Sequence, residues 1–169
     1  MAASEDVVRV SLDGREFTCN YLGPEAPYEP AAVTSAAVVP LLPDGRIVAA
    51  ALDRGIDLPG GHVVVEDASV EATVRREALE EAGIELGPLA LASVIESDYF
   101  GPSRLTYMLN YVGMVVGFRP VSTEHESSGR RIVSIEEFLN EYRGDSHGMR
   151  IILQRALALA PHAGIDRKG

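Results

Sequence analysis

Apolar positions along the chain switch between a period of two and a helical period, and the switches mark out its elements. Val7 to Val10 and Glu16 to Tyr21 flank Leu12-Asp13-Gly14-Arg15. An Asp-Gly pair between two alternating runs predicts a β-hairpin, because both turn positions tolerate positive φ. The three prolines from Gly23 to Pro30 cannot donate to a ladder, so that stretch reads as an extended connector. Ser35 to Leu42 and Arg46 to Leu52 are apolar runs about Pro43-Asp44-Gly45, which predicts two strands buried on both faces. Arg54 to Asp67, rich in glycine, proline and acid, reads as a loop.

After that loop the period changes. Ser69 is placed to cap a helix running to about Ala82 and stopped by Gly83. Leu89 to Ile95 and Leu105 to Val116 read as strands around the turn Asp98-Tyr99-Phe100-Gly101-Pro102, and Ser122 to Arg130 as a polar loop. Ser134 and Glu137 form a capping box ahead of Ile135, Phe138, Leu139 and Tyr142, a helix ending by Gly144. Met149, Ile152, Leu153, Ala156 and Leu157 make a last helical stripe, closed by Pro161. The order predicts an α/β fold, a mixed sheet sandwiched between helices. It divides into a hairpin and connector (1–30), a main domain (31–161) and a short polar tail (162–169).

Composition narrows what such a domain does. At 169 residues with 46% apolar content, the chain can bury one sizeable core and leaves no room for a second full domain. Acids outnumber bases 25 to 15, for a formal net charge of −10. That argues against the basic face on which polynucleotide binding depends. An acidic protein still handles phosphates when metal cations bridge the two sets of negative charge. Cys19 is the only cysteine, so no intrachain disulfide, CxxC pair or cysteine-rich zinc site can form. No segment is apolar for long enough to span a bilayer and the amino terminus lacks a basic leader, so a soluble, cytoplasmic protein is expected.

The chemistry concentrates on the first helix. At 100° per residue, Glu77, Glu80 and Glu81 fall within an arc of about 100°. Like charges at these spacings repel, so something must compensate them. A hard divalent cation, Mg²⁺ or Mn²⁺, does so while also taking phosphate oxygens. Arg76, four residues before Glu80, adds an internal partner. The alternative is a solvated helix face. Just ahead, Gly60-Gly61 offers bare backbone that can approach a ligand closely and present N–H groups to phosphate. Tyr99 and Phe100 could stack on a base, and Arg104 could pair with a phosphate. The histidines show no zinc-ligand spacing, although His62 and His125 flank the site in sequence and could serve as acid or base.

The stretch LPGGHVVVEDASVEATVRREALEEAGI resembles the signature of the Nudix hydrolase (MutT-like) family. That signature is Gly, five residues, Glu, seven residues, then Arg-Glu-U-X-Glu-Glu-X-Gly-U, with U a bulky aliphatic. Arg76 to Ile84 fits position for position, save for the small Ala78 at the first U. The segment from Gly61 to Arg76 is one residue longer than the signature, which puts Ala68 at the first glutamate, with Glu66 and Asp67 just before it. Either acid could substitute, or the role could be absent.

The resemblance implies a Nudix-type α/β/α sandwich and metal-dependent cleavage of a phosphoanhydride bond in a nucleoside diphosphate derivative or triphosphate. It implies metal ligation by Glu77, Glu80, Glu81 and Gly61, a fixed Arg76, and substrate contacts from Arg54, Gly60, Gly61 and the turn bearing Tyr99, Phe100 and Arg104. It also implies a general base at Glu124, with Glu126 the alternative. The expected partner is a small nucleotide or nucleotide derivative. The leading hairpin and connector offer a route to strand exchange in a homodimer. Two rival readings stand beside it: a Nudix-fold module that binds a nucleotide without hydrolysing it, and a purely structural acidic helix.

Overall fold

The hairpin expected from Asp13-Gly14 forms as β1 (Val7–Leu12) and β2 (Arg15–Leu22), with Leu12 facing Arg15 across a two-residue turn. Both turn residues take positive φ, 52° at Asp13 and 77° at Gly14, the geometry that matches strand twist. The computed structural model of the chain describes residues 6–121, 124 and 127–160. The hairpin does not stand apart, because β2 pairs antiparallel with β7 (Ile84–Ser97), setting Tyr21 against Ile95. Arg155 locks it down further, donating to the Leu22 carbonyl at 2.8 Å and to the Asp6 carboxylate at 3.1 Å.

The connector carries no strand, only a 3₁₀ turn at Pro30–Ala32, and leads into β3 (Val33–Leu41). β3 is the hub of the sheet. It pairs parallel with β8 (Thr106–Phe118) and antiparallel with β4 (Ile47–Leu52) and β6 (Gly60–His62). The described strands run in the order β1-β2-β7-β8-β3-β4-β5, where β5 is Gly55–Asp57, and β9 (Ser127–Val133) pairs with β4. One parallel pair among antiparallel ones makes the sheet mixed.

Three expectations need correction. Arg54 to Asp67 is not all loop, since it contains β5 and β6, three residues each, which gain their ladders from β4 and β3. The stretch read as a polar loop to Arg130 already enters β9 at Ser127. The strand read from Leu89 begins at Ile84, directly after Gly83, because Ile84 and Leu86 bury their side chains.

Alternation along the buried strands builds two cores. Val38 and Val48 face α1 (Val70–Ala82), where Val74, Ala78 and Ala82 are fully buried. Val39, Leu41 and Ala49 point the other way, onto Phe138 of α2 (Ile135–Glu141) and Met149, Ile152, Leu153 and Ala156 of α3 (Ser146–Leu159). The result is an α/β/α sandwich. The capping box forms as expected, with Ser134 N–H donating to Glu137 at 2.8 Å and Glu137 N–H to Ser134 Oγ at 3.1 Å. Pro161 and the tail lie outside the described residues. No described helix is long and apolar enough to cross a membrane.

Both ends of α1 are set by their caps. Ser69 Oγ accepts from Ala72 N at 3.1 Å, and Gly83 ends the helix in the left-handed region at φ 60°. A Cβ on Gly83 would run into the Arg119 carbonyl oxygen. Gly83→Ala is therefore expected to destabilise the fold by about 1–3 kcal/mol, seen as a lower urea midpoint. An unchanged midpoint would show that this cap carries no strain.

Candidate metal and active site

The pattern of α1 that buries Val74, Ala78 and Ala82 against the sheet turns Arg76, Glu77, Glu80 and Glu81 towards its rim. Arg76 stands at the centre of the acids. Its Nη1 donates to Glu77 Oε1 at 2.9 Å and to Glu80 Oε2 at 3.1 Å, the latter the i,i+4 pair expected from the spacing. Its Nε and Nη2 reach the opposite way to Asp67 at 3.1 and 3.0 Å. Thr73, buried on the first turns of the same helix, donates from Oγ1 to Asp67 Oδ2 at 2.7 Å. Of the acids before the helix, Asp67 meets Arg76; the apolar Ala68 cannot.

Backbone packing brings the glycine pair against this face. β6 lies along β3 with Gly60 opposite Ala37 and Gly61 opposite Ala36. A Cβ on Gly60 would sit 2.6 Å from the Ala36 carbonyl oxygen and Ala37 Cβ, and one on Gly61 2.5 Å from a Glu77 carboxylate oxygen. Gly60 is closed to any side chain by the β3 backbone, whereas a methyl on Gly61 would have to push the Glu77 carboxylate aside. The Gly60 N–H, expected to face a ligand, donates to Glu81 Oε2 at 3.3 Å.

The electrostatics follow from one guanidinium shared among crowded acids. Arg76, seconded by Thr73, holds Asp67 below the usual carboxylate range. Burial pushes Glu77 up, with Arg76 pulling against it. Burial also raises Glu81, to about 7, against the opposing hydrogen bond from Gly60 and with help from the neighbouring Glu77 charge. The helix face thus holds more negative charge than Arg76 offsets.

These groups open onto a cavity of ≈ 880 Å³, lined also by Arg54, His62, Val64, Glu66 and Glu124. Among the described residues no three acidic, histidine or cysteine side chains stand, in their present positions, close enough to hold a metal ion together. Arg76 and the Gly60 N–H hold the carboxylates in their present positions. The donor set itself fits a hard cation: oxygens only, on one face, undercompensated and at a cavity wall.

Arg54 and Glu124 line the same cavity, as do Gly60 and Gly61, so most of the residues singled out from sequence come together. Arg54 also pairs with Asp57 at 3.5 Å. Tyr99, Phe100 and Arg104 are not brought to it. Tyr99 packs edge-on against Phe17 and under Arg15, and Arg104 lies over Phe100, so the turn is anchored on the hairpin. Glu126 and His125 lie outside the described residues. Sequence reasoning passed over Thr73, and also Cys19, Tyr21, Asn110 and Tyr142, which wall a second, adjoining cavity. All five sit in stretches read only as helix or strand, with no chemical pattern to mark them.

Comparison with known proteins bears on the fold and the family. A family model described as NUDIX domain matches residues 32–155. No curated protein matches the chain by sequence. Among solved structures, the chain is similar to the Bacillus subtilis pyrophosphohydrolase BsRppH, at 18% identity, 89% of this chain, 94% of that one and a TM-score of 0.70. It is similar to the NUDIX domain of Shewanella oneidensis NrtR complexed with ADP ribose, at 15% identity, 78% and 94% coverage and a TM-score of 0.60. A MutT NUDIX hydrolase from Burkholderia pseudomallei aligns at 23% identity, 72% and 95% coverage and a TM-score of 0.53. At such identities the structural likeness speaks for the sandwich fold alone. The family model, spanning most of the chain and the whole acidic helix with its glycine strand, settles the membership: the chain belongs to the Nudix family of hydrolases.

Proposed function

We propose that the protein hydrolyses a phosphoanhydride bond in a nucleoside diphosphate derivative or nucleoside triphosphate, using Mg²⁺ or Mn²⁺. The observation that carries this reading is the surplus of carboxylate on one helix face, held by a single guanidinium at the wall of a large cavity. Among similar structures, one is a pyrophosphohydrolase and another was crystallised with ADP ribose, which supports a diphosphate-bearing nucleotide as the substrate class.

Glu77, Glu80 and Glu81, with the Gly61 backbone beside them, would hold the cation. When bound, it offsets the charge of the diphosphate and makes a water more acidic. Arg76 fixes the rotamers of Glu77 and Glu80, and Asp67 fixes Arg76 from the other side. Glu124, on the cavity wall, accepts the proton of the attacking water, and Arg54 meets the phosphates at the mouth. The longer loop and Ala68 were grounds for a silent binding module. Asp67 weakens those grounds, because an acid of the loop still grips the helix arginine.

Glu80→Gln and Glu81→Gln are expected to keep the fold and to lose at least about a hundred-fold in release of nucleoside monophosphate from a panel of nucleotide diphosphates. Chelation should abolish wild-type turnover, and added Mg²⁺ or Mn²⁺ should restore it. Unchanged turnover in both variants sinks the reading, and tight ligand binding without turnover identifies a binding module instead. Gly61→Ala tests the geometry. Its new methyl displaces the flexible Glu77 carboxylate rather than backbone, so about 10- to 100-fold of activity should disappear with little change in melting temperature.

A further inference from the structure

The second cavity, of ≈ 380 Å³, shares Arg54, Gly60, Gly61, His62 and Glu81 with the acidic one, so one molecule can span both. Its character is different. Ile95 and Met108 on the sheet and Met149 and Ile152 on α3 give it apolar walls. Arg54, at the shared mouth, is the only arginine or lysine among its described lining residues, and Asp57 and Glu81 are also there, so the cavity is unsuited to a second phosphate. An uncharged ring attached to the diphosphate suits it, and the volume falls within the range of small-molecule sites.

Asn110 breaks the apolar wall. It lies on β8, 1% exposed, directly opposite Ser93 of β7. Among the described residues, Asn110 Nδ2 and Ser93 Oγ are the buried side-chain atoms with no hydrogen-bond partner. A buried amide without a partner costs stability, and its neighbours on the same face of β8, Met108 and Val112, are apolar. Packing therefore does not account for an asparagine here, whereas a ligand acceptor would.

We propose that this cavity holds the base of the nucleotide substrate and that Asn110 selects it, donating from Nδ2 to a ring nitrogen or an exocyclic carbonyl oxygen. The proposal rests on the hydrolase reading for what occupies the acidic end, while its own support is the orphaned amide in an apolar wall.

Asn110→Leu, which keeps the number and branching of the side-chain heavy atoms, separates selection from structure. Wild type and variant are compared in thermal unfolding, in Mg²⁺-dependent hydrolysis of the four nucleoside triphosphates and ADP-ribose, and in ligand-observed NMR with AMP, GMP, CMP and UMP under chelation. The melting temperature is expected to hold or rise, because an unsatisfied amide is removed. KM for the favoured nucleotide should rise about ten-fold with kcat changed far less, the spread of KM among bases should narrow, and monophosphate binding should weaken to match. A fall in melting temperature, or unchanged KM and binding, overturns the assignment. If wild type hydrolyses nothing, the hydrolase reading fails while the NMR comparison still decides the role of Asn110. If no monophosphate binds wild type, the base cavity fails even where turnover survives.

Discussion

Everything at the functional end of this molecule hangs on how closely β6 is pressed between β3 and α1. Gly60 meets the backbone of Ala36 and Ala37, with no room for a methyl group, and Gly61 meets the Glu77 carboxylate, which a methyl group would displace. The same contact ties sheet register to side-chain placement. Pairing of Gly60 with Ala37 puts the Gly60 N–H within reach of Glu81, so a slip of one residue along the strand would change which carboxylate the backbone holds. Close approach in turn requires the small inner face of α1, where Ala78 and Ala82 let the helix settle on the sheet.

That tight seat forces like charges together. Glu77, Glu80 and Glu81 share one rim, burial raises two of them, and Arg76 is divided between helix and loop. The contact between Arg76 and Asp67 matters because it braces the arginine from outside the helix. The loop's extra residue moves the acid one position earlier than the family signature has it, and aspartate, with Thr73 as second support, still reaches the guanidinium. Such crowding leaves carboxylate charge on the rim that Arg76 alone does not offset.

Much of this was legible from local chemistry. Asp13-Gly14, the Ser69 cap, Gly83, the Ser134–Glu137 box and the Arg76–Glu80 pair all depend on residues within a few positions of one another, and each takes the predicted form. What escaped depends on partners far along the chain. β5 and β6 are too short and too rich in glycine to show a period, and exist because β4 and β3 offer open ladders. β9 is polar on its outer face, so its pairing with β4 left little trace in the pattern. Tyr99 looks like an exposed stacking platform until the hairpin that receives it is in place, and Phe100, still half exposed, is turned edge-on to Tyr99. Asn110 is hidden within a run that otherwise reads as core.

The parallel pairing of β3 with β8 joins Val33 to Tyr107 and Leu41 to Met114. Between those strands in the chain lie the glycine strand, the acidic helix and its caps. The central ladder is therefore the closure of a long loop whose contents are the site itself. Local signals let α1 and the hairpin begin early, but the entropy of closing that loop must be met before β3, β6 and α1 share one rim. Glu77, Glu80 and Glu81 share one face as soon as α1 forms, but the Gly60 contact and the burial that raises Glu77 and Glu81 exist only once that loop is closed.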